Sequence, residues 1–326
     1  MLDIAVIGAG RIGQIHARNI AGHPRARLAG IADAVPEAAA SLAAATGAKV
    51  ISLDEAFAAT AVLIGSPTPT HADYIERAAK AGQAVFCEKP VDLSAARVRA
   101  CLGVVAAAGT PLMVGFNRRF DPHFAALKRR LDAGEAGRLE LLSIISRDPT
   151  PPPPAYVAAS GGLFRDMMIH DLDMARFLLG EEPVELFAAA SCQVDSGIGE
   201  AGDVDTAIVT LRTASGRLCQ ISNSRRATYG YDQRIEAHGS AGLLRAGNVT
   251  ATSVEFADGS GFTTDPALPF FLERYAAAYR AELDAFITAV STGIAPTPNG
   301  LDGLKALELA DAATESARTN RAVALS

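Results

Sequence analysis

The sequence lacks the patterns that mark several large protein classes. Its four cysteines form no C-x-x-C pair and do not cluster with the six histidines, which argues against a disulfide framework or a zinc site. No run reaches about 18 apolar residues, and Met1 is followed by LDIAVIGAG without a charged segment ahead of a cleavable apolar stretch. We therefore expect a cytoplasmic protein that does not enter a membrane.

Long basic runs are also missing. The chain of 326 residues has a formal net charge of -6, so a nucleic-acid backbone would be repelled overall, and we expect no nucleic-acid partner. A hydrophobic fraction of 49% with 20% charged residues is ordinary for a globular protein. At roughly 150 residues per domain, this length predicts two domains.

Short β-rich runs alternate with longer alanine-rich stretches up to about residue 118. The runs are DIAVIG, RLAGIAD, KVIS, AVLIGSP, AVFCEKP and PLMVGF. Strands that alternate with helices indicate right-handed βαβ crossovers and a parallel sheet with helices on both faces. We therefore predict an α/β first domain over residues 1–118.

The pattern changes over residues 119–326, where we predict an α+β domain built on a largely antiparallel sheet. The helical segment DPHFAALKRRLDAG leads to LELLSIISR, and the runs DTAIVTLR and GRLCQISNS follow later. The last two are separated by the turn-like Ala214–Gly216, which is typical of a hairpin. The C-terminal helix LDGLKALELADAATESA is expected to pack back on the first domain.

A glycine motif follows the first predicted strand and opens the first predicted helix. In Gly8-x-Gly10-x-x-Gly13, the first glycine permits a tight turn, the second lets the backbone approach a pyrophosphate, and the third lets helix and strand pack closely. Asp33 ends the next strand, where a carboxylate accepts from the ribose 2'-hydroxyl and repels a 2'-phosphate. The motif predicts a dinucleotide site that favours NAD over NADP.

Two further strand ends are expected to border the nicotinamide half of the cofactor. Ser66-Pro67-Thr68 and Glu88-Lys89-Pro90 occupy these ends, and ligands of such sheets bind beyond the carboxyl ends of the strands. The alternative for Lys89 is a solvated surface lysine. The complete predicted cofactor-binding set is Gly8, Gly10, Arg11, Ile12, Gly13, Asp33, Ser66, Pro67, Thr68, His71, Glu88 and Lys89.

The stretch GGLFRDMMIHDLDMARFLLG, residues 161–180, reads as an apolar helix that contains titratable side chains. At about 100° per residue, Asp166, His170, Asp173 and Phe177 fall along one stripe, opposite an apolar face. The stripe is expected to face something polar. A histidine of the core and a metal site formed by Asp166, His170 and Asp173 are the alternatives, and no second histidine or cysteine nearby supports a metal.

Taken together, GAGRIG, CEKP and a downstream GG followed by D-x-x-x-H-D resemble the glucose-fructose oxidoreductase/inositol dehydrogenase (Gfo/Idh/MocA) family over essentially the whole chain. The resemblance implies an N-terminal Rossmann domain that binds NAD and a C-terminal α+β domain. The segments VGFNRRFDPHF, SNSRRATYGYDQRIE and RDPTPPPPAYV are most similar to the inositol-oxidising members. Oxidation of myo-inositol to 2-keto-myo-inositol (scyllo-inosose) is therefore the expected reaction.

The resemblance also implies a catalytic set of Lys89, Asp166 and His170. An imidazole suits removal of the hydroxyl proton as hydride leaves carbon, and Lys89 supplies positive charge where an alkoxide develops. Asp166 would hold substrate hydroxyls or orient the base, whereas Asp173 would support the site from behind and Asp171 has a weaker claim on it. No metal is expected in the site.

The resemblance further suggests substrate contacts and an assembly. The predicted substrate-binding residues are Asn117, Arg118, Asp166, His170, Tyr229 and Tyr231. A solvated pair at the start of a helix is the alternative for Arg118 and Arg119. The predicted sheet offers a face for a homo-oligomer, either a dimer or a tetramer. A pyranose 1-dehydrogenase and a non-catalytic NAD-binding sensor are the alternative functions.

Overall fold

The computed structural model describes residues 1–325, with the side chains of Pro154 and Ala158 left aside. The chain divides into two compact units. The first comprises Met1–Asn117 and Ala278–Leu307, and the second comprises Arg118–Ala277 and the chain from Glu308 onward. The first unit thus includes a late segment that the predicted boundaries assign to the second domain.

The first unit contains a five-stranded parallel sheet in the order β2-β1-β3-β4-β5, which confirms the predicted Rossmann architecture. Strands β3 and β4 are buried along their whole length, which explains their continuous apolar sequences. Its strands and the helices between them are β1 (Leu2–Ile7), α1 (Arg11–Ala21), β2 (Ala26–Ala32), α2 (Pro36–Thr46), α3 (Leu53–Ala56), β3 (Ala61–Ile64), α4 (His71–Lys80), β4 (Ala84–Cys87), α5 (Ala95–Ala108) and β5 (Leu112–Val114).

One predicted strand of this unit is wrong. The run KVIS contributes a single bridge between Val50 and Ile31 and forms no strand. Ser52, its last residue, is the N-cap of α3, and its side chain and backbone exchange hydrogen bonds with Glu55 in a capping box. Ser52 therefore caps the helix α3 and cannot extend the predicted strand.

The late segment of the first unit comes from two helices, α11 (Ala276–Thr292) and α12 (Gly300–Thr319). Phe286 of α11 meets Phe86 of β4 edge to face, with ring centroids 5.7 Å apart. The backbone amide of Val114 donates to the carbonyl oxygen of Pro298 at 3.0 Å. These contacts attach residues beyond 277 to the sheet of the first unit.

The second unit contains a seven-stranded sheet in the order β11-β10-β6-β9-β8-β7-β14. Every neighbouring pair is antiparallel except β6 and β9, so the predicted largely antiparallel sheet is confirmed. A separate hairpin, β12 with β13, is exposed. The strands are β6 (Leu139–Arg147), β7 (Pro183–Ser191), β8 (Thr206–Thr213), β9 (Leu218–Ser224), β10 (Asp232–Gly239), β11 (Gly242–Ala246), β12 (Glu255–Asp258), β13 (Gly261–Thr264) and β14 (Val323–Ala324).

Side chains of this sheet alternate between a buried face and an accessible one, as the period of two requires. The predicted hairpin is present: β8 and β9 are joined through Gly216, which adopts a φ of +89°. The remaining helices of the unit are α6 (Pro122–Asp132), α7 (Pro154–Ser160), α8 (Ile169–Leu179), α9 (Ser196–Glu200) and α10 (Phe271–Arg274). None of the helices described within residues 1–325 is long and apolar enough to cross a membrane.

The predicted helix over residues 161–180 is present from Leu163 to Leu179, but it is not α-helical throughout. Gly161 and Gly162 both have positive φ, a π-helical segment covers Leu163–Met168, and α8 begins only at Ile169. A π-helix has more residues per turn than an α-helix, so the 100° spacing used for the predicted stripe does not apply across Asp166. Such π segments are frequent at functional sites.

Candidate active site

The glycine loop of the first unit has the backbone that its sequence requires. Gly8 adopts a φ of +106°, and a Cβ there would lie 2.5 Å from the carbonyl carbon of Gly65. A Cβ on Gly13 would lie 1.9 Å from the carbonyl oxygen of Gly8. Gly10, in contrast, has no protein atom within 4 Å of the Cβ position, which leaves open space at the start of α1. A phosphate group fits such a space, because the helix N-terminus offers free amides and a positive dipole end.

Asp33 is held against this loop by two backbone amides. Its Oδ2 accepts a hydrogen bond from the amide of Ala9 at 2.5 Å, and its Oδ1 accepts from Val35 at 2.7 Å. The side chain therefore reaches from the end of β2 to the glycine loop. The carboxylate thus lies beside the glycine loop, and its contact with a ribose stays a prediction.

His71 connects the two strand-end loops that were predicted to border the nicotinamide. Its Nδ1 lies 2.7 Å from the carbonyl oxygen of Pro90, and its Nε2 lies 2.7 Å from that of Ser66. Burial lowers the pKa of His71, although both carbonyl groups favour the protonated ring. Because both nitrogens face backbone carbonyls, the geometry gives His71 a role in holding the loops together.

The Glu88-Lys89 pair lies directly after β4. Glu88 is 8% exposed, and its Oε1 lies 2.7 Å from Nε2 of His16. Lys89 is half-buried. At the other predicted positions, Arg11 and Ile12 form the first turn of α1, and Ser66 shares a hydrogen bond of 2.6 Å with Thr70 in the turn that begins at Thr68.

In the second unit, Asp166 lies at the centre of a polar cluster. Its Oδ2 accepts from Nη2 of Arg225 at 3.2 Å, and its Oδ1 accepts from the hydroxyl of Tyr156 at 3.1 Å. Arg225 also donates from Nη1 to Asp148 at 3.0 Å, so one buried guanidinium bridges two carboxylates. We call Asp148, Tyr156, Asp166 and Arg225 the Asp166 cluster. His170, half-buried, follows Asp166 at the second position of α8.

Burial and charge act against each other within the Asp166 cluster. Burial disfavours the charged guanidinium of Arg225, but the neighbouring charges of Asp166 and Asp148 outweigh it and raise the pKa of Arg225. For Asp148, burial raises the pKa in spite of the ion pair with Arg225. The cluster therefore combines fixed donors and acceptors, which is the chemistry that recognises hydroxyl groups.

Two other acidic residues of this region face into the unit. Asp171 is fully buried and accepts hydrogen bonds from Arg118 and from Ser146, the latter at 2.5 Å. Asp173 is paired with Arg119 through two bonds of 2.8 and 2.6 Å. The predicted polar stripe therefore does not extend to Asp173, and the solvated alternative for the two arginines is wrong because both pairs are internal.

The predicted substrate-binding residues have contacts within their own units. The hydroxyl of Tyr229 donates to Asp232 at 2.7 Å and accepts from Arg147 at 2.8 Å. Tyr231 is 6% exposed with its ring against that of Tyr275, and burial raises its pKa well above the usual value. Asn117 is buried at the last position of the first unit.

Asp148, Tyr156 and Arg225 were not predicted from the sequence as site residues. Asp148 follows β6 and Arg225 follows β9, and these two strands are the parallel pair of the sheet, with Arg147 opposite Ser224. Parallel strands end at the same edge, which brings the two side chains together. The position of Asp148 and Arg225 directly after two strands was therefore the sequence signal that could have indicated them. In a sheet predicted as largely antiparallel, two such strand ends are not expected to meet.

The family profiles match both parts of the chain. Residues 2–116 match the oxidoreductase family with an NAD-binding Rossmann fold, and residues 124–245 match the GFO/IDH/MocA C-terminal domain.

Individual relatives span nearly the whole length. The chain is 54% identical to the inositol 2-dehydrogenase of Rhizobium meliloti (strain 1021), over 98% of each chain. It superposes on a myo-inositol dehydrogenase from Corynebacterium glutamicum with a TM-score of 0.96 and 49% identity, covering 100% of this chain and 99% of the other. A scyllo-inositol dehydrogenase from Lactobacillus casei, with bound NAD(H) and scyllo-inositol, gives a TM-score of 0.93 at 29% identity and covers 99% of each chain.

Proposed function

Since the chain belongs to the GFO/IDH/MocA oxidoreductase family and carries its NAD-binding Rossmann domain, we propose that it oxidises myo-inositol to 2-keto-myo-inositol (scyllo-inosose). The observation that carries the choice of substrate is the 54% identity to an inositol 2-dehydrogenase over 98% of both chains. The Asp166 cluster agrees with a polyol substrate, because a polyol needs many directional hydrogen bonds.

The first unit supplies the cofactor site. The glycine loop and the start of α1 would hold the pyrophosphate, and Asp33 would bind the ribose hydroxyls. NAD, when bound, accepts a hydride from a substrate carbon. The chain's own residues then have to bind the polyol and take up the proton of the hydroxyl group that becomes a ketone.

We assign this proton transfer to His170, with Lys89 and Asp166 as its partners. An imidazole titrates near neutrality and is the commonest proton acceptor for such a step. Lys89 would stabilise the developing alkoxide by its positive charge. Asp166 would bind a substrate hydroxyl, since Arg225 and Tyr156 fix its carboxylate in place.

Among the predicted hydroxyl-binding residues, Arg118 has a different role in our proposal. It is 4% exposed, and its Nη1 donates to both Asp171 and Ser146. We propose that it anchors α8, the helix that carries His170. Asn117, Tyr229 and Tyr231 remain proposed substrate contacts.

The substrate is tested by NADH production from purified protein with myo-inositol, scyllo-inositol, glucose and xylose. We expect the highest kcat/KM with myo-inositol. A preference for scyllo-inositol would change the isomer, and a preference for an aldose with a lactone product would support the pyranose dehydrogenase instead. NADH binding without turnover of any of these compounds would support the non-catalytic sensor.

His170→Ala tests the assigned proton acceptor. General bases contribute about 10² to 10⁴-fold, so kcat should fall by that factor while NADH binding is retained. His123→Ala, which changes an exposed histidine at the start of α6, is the control and should leave kcat unchanged. A folded His170→Ala variant with normal kcat would contradict the assignment.

We also propose that the chain forms a homo-oligomer through the accessible face of the seven-stranded sheet. Leu243, His238, Leu141 and Leu218 lie opposite one another on four neighbouring strands, and all four are exposed in the single chain. Three of these four side chains are leucines, and exposed apolar side chains grouped in this way are typical of a protein–protein interface. Light scattering should show that Leu141→Lys lowers the mass, whereas Ile294→Lys, at an exposed site outside the sheet, should not. A monomeric wild-type protein would exclude this interface.

A further inference from the structure

A buried group of one histidine and two glutamates lies in the first unit. His16 belongs to α1, Glu88 follows β4, and Glu282 belongs to α11. His16 and Glu282 are 0% exposed, and Glu88 is 8% exposed. Nε2 of His16 is 2.7 Å from Glu88 Oε1 and 3.9 Å from Glu282 Oε1, and one polar atom of each residue lies within 4.8 Å of those of the other two. We call these three residues the buried triad.

The residue types of the buried triad suit a metal ion, but the geometry favours a shared proton. Nitrogen and oxygen ligands bind zinc at about 2.0–2.2 Å, which places two ligands of a tetrahedral site roughly 3.3 Å apart. The 2.7 Å between Nε2 of His16 and Oε1 of Glu88 is a hydrogen-bond distance, and a carboxylate only accepts, so this contact calls for the His16 tautomer with its proton on Nε2.

Glu282 has an unusual position for a carboxyl group. Both of its oxygens are buried, and neither has a hydrogen-bond partner within residues 1–325. Burial, followed by the negative charge of Glu88, raises the pKa of Glu282 well above its usual value. A buried, unpaired carboxylate is very costly, and the group instead keeps its proton. Glu282 therefore keeps its proton to a higher pH than an exposed glutamate does.

Few titratable groups surround Glu282. His16 faces it from α1, Glu88 faces it from the end of β4, and Tyr279 lies one turn earlier on α11 with its ring against His16. Asp284, also on α11, forms an exposed ion pair with Arg25. Only Glu88 adds a negative charge inside this group, so ionisation of Glu282 would place two carboxylates beside one histidine.

The buried triad connects the two ends of the cofactor site. His16 lies on the helix that begins at the glycine loop, and Glu88 is adjacent in sequence to Lys89. On another side, a Cβ on Gly115 would lie 3.0 Å from the carboxyl group of Glu88, so the glycine leaves space for that group. The hydrogen bond between His16 and Glu88 thus joins α1 to the strand end that carries Lys89.

We propose that Glu282 is a positioning residue whose retained proton preserves the hydrogen bond between His16 and Glu88 and so fixes Lys89 relative to α1. An ionised Glu282 would compete for the proton of His16 and repel Glu88. The inference rests on the proposed function only through the role of Lys89. Its effect on the cofactor site is independent of the substrate.

Glu282→Gln tests the proposal because glutamine is a neutral isostere of the protonated acid. The Kd of NADH is measured by fluorescence from about pH 7 to pH 10 for wild type, Glu282→Gln and Asp284→Asn, an exposed carboxyl control on the same helix. At pH 7 all three should bind NADH equally well. As the pH rises and Glu282 loses its proton, wild type and the control should lose affinity relative to Glu282→Gln, by a factor on the order of ten.

Two results would overturn the proposal. A tenfold weaker binding by Glu282→Gln at pH 7 would mean that Glu282 acts as a charged partner. Identical pH profiles for wild type and Glu282→Gln would mean that its proton has no influence on the site. Because NADH binding requires no turnover, a failure of myo-inositol oxidation in the substrate panel leaves this test intact.

Discussion

Asp205 closes a turn of the second unit through its charged side chain, and its replacement by asparagine has a calculable effect on stability. Its side chain is fully buried and accepts hydrogen bonds from the backbone amides of Gln193, Val194 and Asp195 at 2.7, 2.7 and 3.0 Å. Its own carbonyl oxygen accepts from the amide of Arg225 at 2.8 Å. Loss of the carboxylate would therefore loosen the backbone that positions the Asp166 cluster.

The pKa of Asp205 gives the size of its contribution to the free energy of unfolding. Burial alone would raise it, but the three amide hydrogen bonds outweigh burial and lower the pKa from 3.8 to about 2. At about 1.4 kcal/mol per unit, this shift stabilises the folded state by about 2 kcal/mol at neutral pH. Because the pKa is lowered on folding, the contribution is complete above about pH 4 and is lost as the pH falls towards 2; roughly half remains at pH 3.

Asp205→Asn should therefore lower the free energy of unfolding by about 2 kcal/mol at pH 7, and the difference from wild type should shrink between pH 4 and pH 3. Urea unfolding followed by circular dichroism at these three pH values measures it. Asp258→Asn is the matched control, because Asp258 accepts two hydrogen bonds from Ser260 on an exposed hairpin and should change little. An Asp205→Asn loss that is equally large at pH 7 and pH 3 would refute the electrostatic explanation.

Three further substitutions test the two units. Asp33→Ser should raise kcat/KM for NADP relative to NAD by about tenfold to a hundredfold, since it removes a repulsion of about 1–3 kcal/mol; equal use of both cofactors by wild type would contradict this. Gly13→Ala should abolish NADH binding in a fluorescence titration, because its Cβ overlaps the glycine loop, whereas Gly103→Ala, which has open space, should not. Asp171→Asn leaves the buried Arg118 without its charged partner and should cost about 3–5 kcal/mol in urea unfolding, and a loss below about 1 kcal/mol would contradict the internal ion pair.

The sheet of the first unit could be predicted because its signals are local. Strands such as Ala61–Ile64 and Ala84–Cys87 are buried on both faces and appear as short apolar runs, and the glycine loop follows directly after β1. The membership of Glu282 in this unit could not be predicted. Its helix joins a sheet whose last strand ends at Val114, and no pattern near Glu282 indicates the two partners that surround it.

Near Asp166, the assumption of a constant 100° rotation per helical residue fails. A constant helical period placed Asp173 on the same stripe as Asp166, whereas the structure pairs Asp173 with Arg119 inside the unit. The period breaks because a π-helical segment, Leu163–Met168, precedes α8. The spacing of apolar residues does not reveal the wider turn of a π-helix. From the sequence, only the closeness of Asp166 and His170 along the chain indicates that the two share a site.

The Asp166 cluster depends on one strand pairing that the sequence conceals. Strands β6 and β9 are separated in the chain by β7 and β8, yet they lie side by side and run parallel, and the amide of Asp148 donates to the carbonyl oxygen of Ser224 at 3.0 Å. If these strands were antiparallel, the end of β6 would meet Leu218 at the start of β9, and Arg225 would lie at the far edge of the sheet. The single parallel pair therefore brings Arg225 between Asp148 and Asp166. Two strand ends that are remote in sequence thereby supply the charged residues that hold Asp166 in the proposed substrate site.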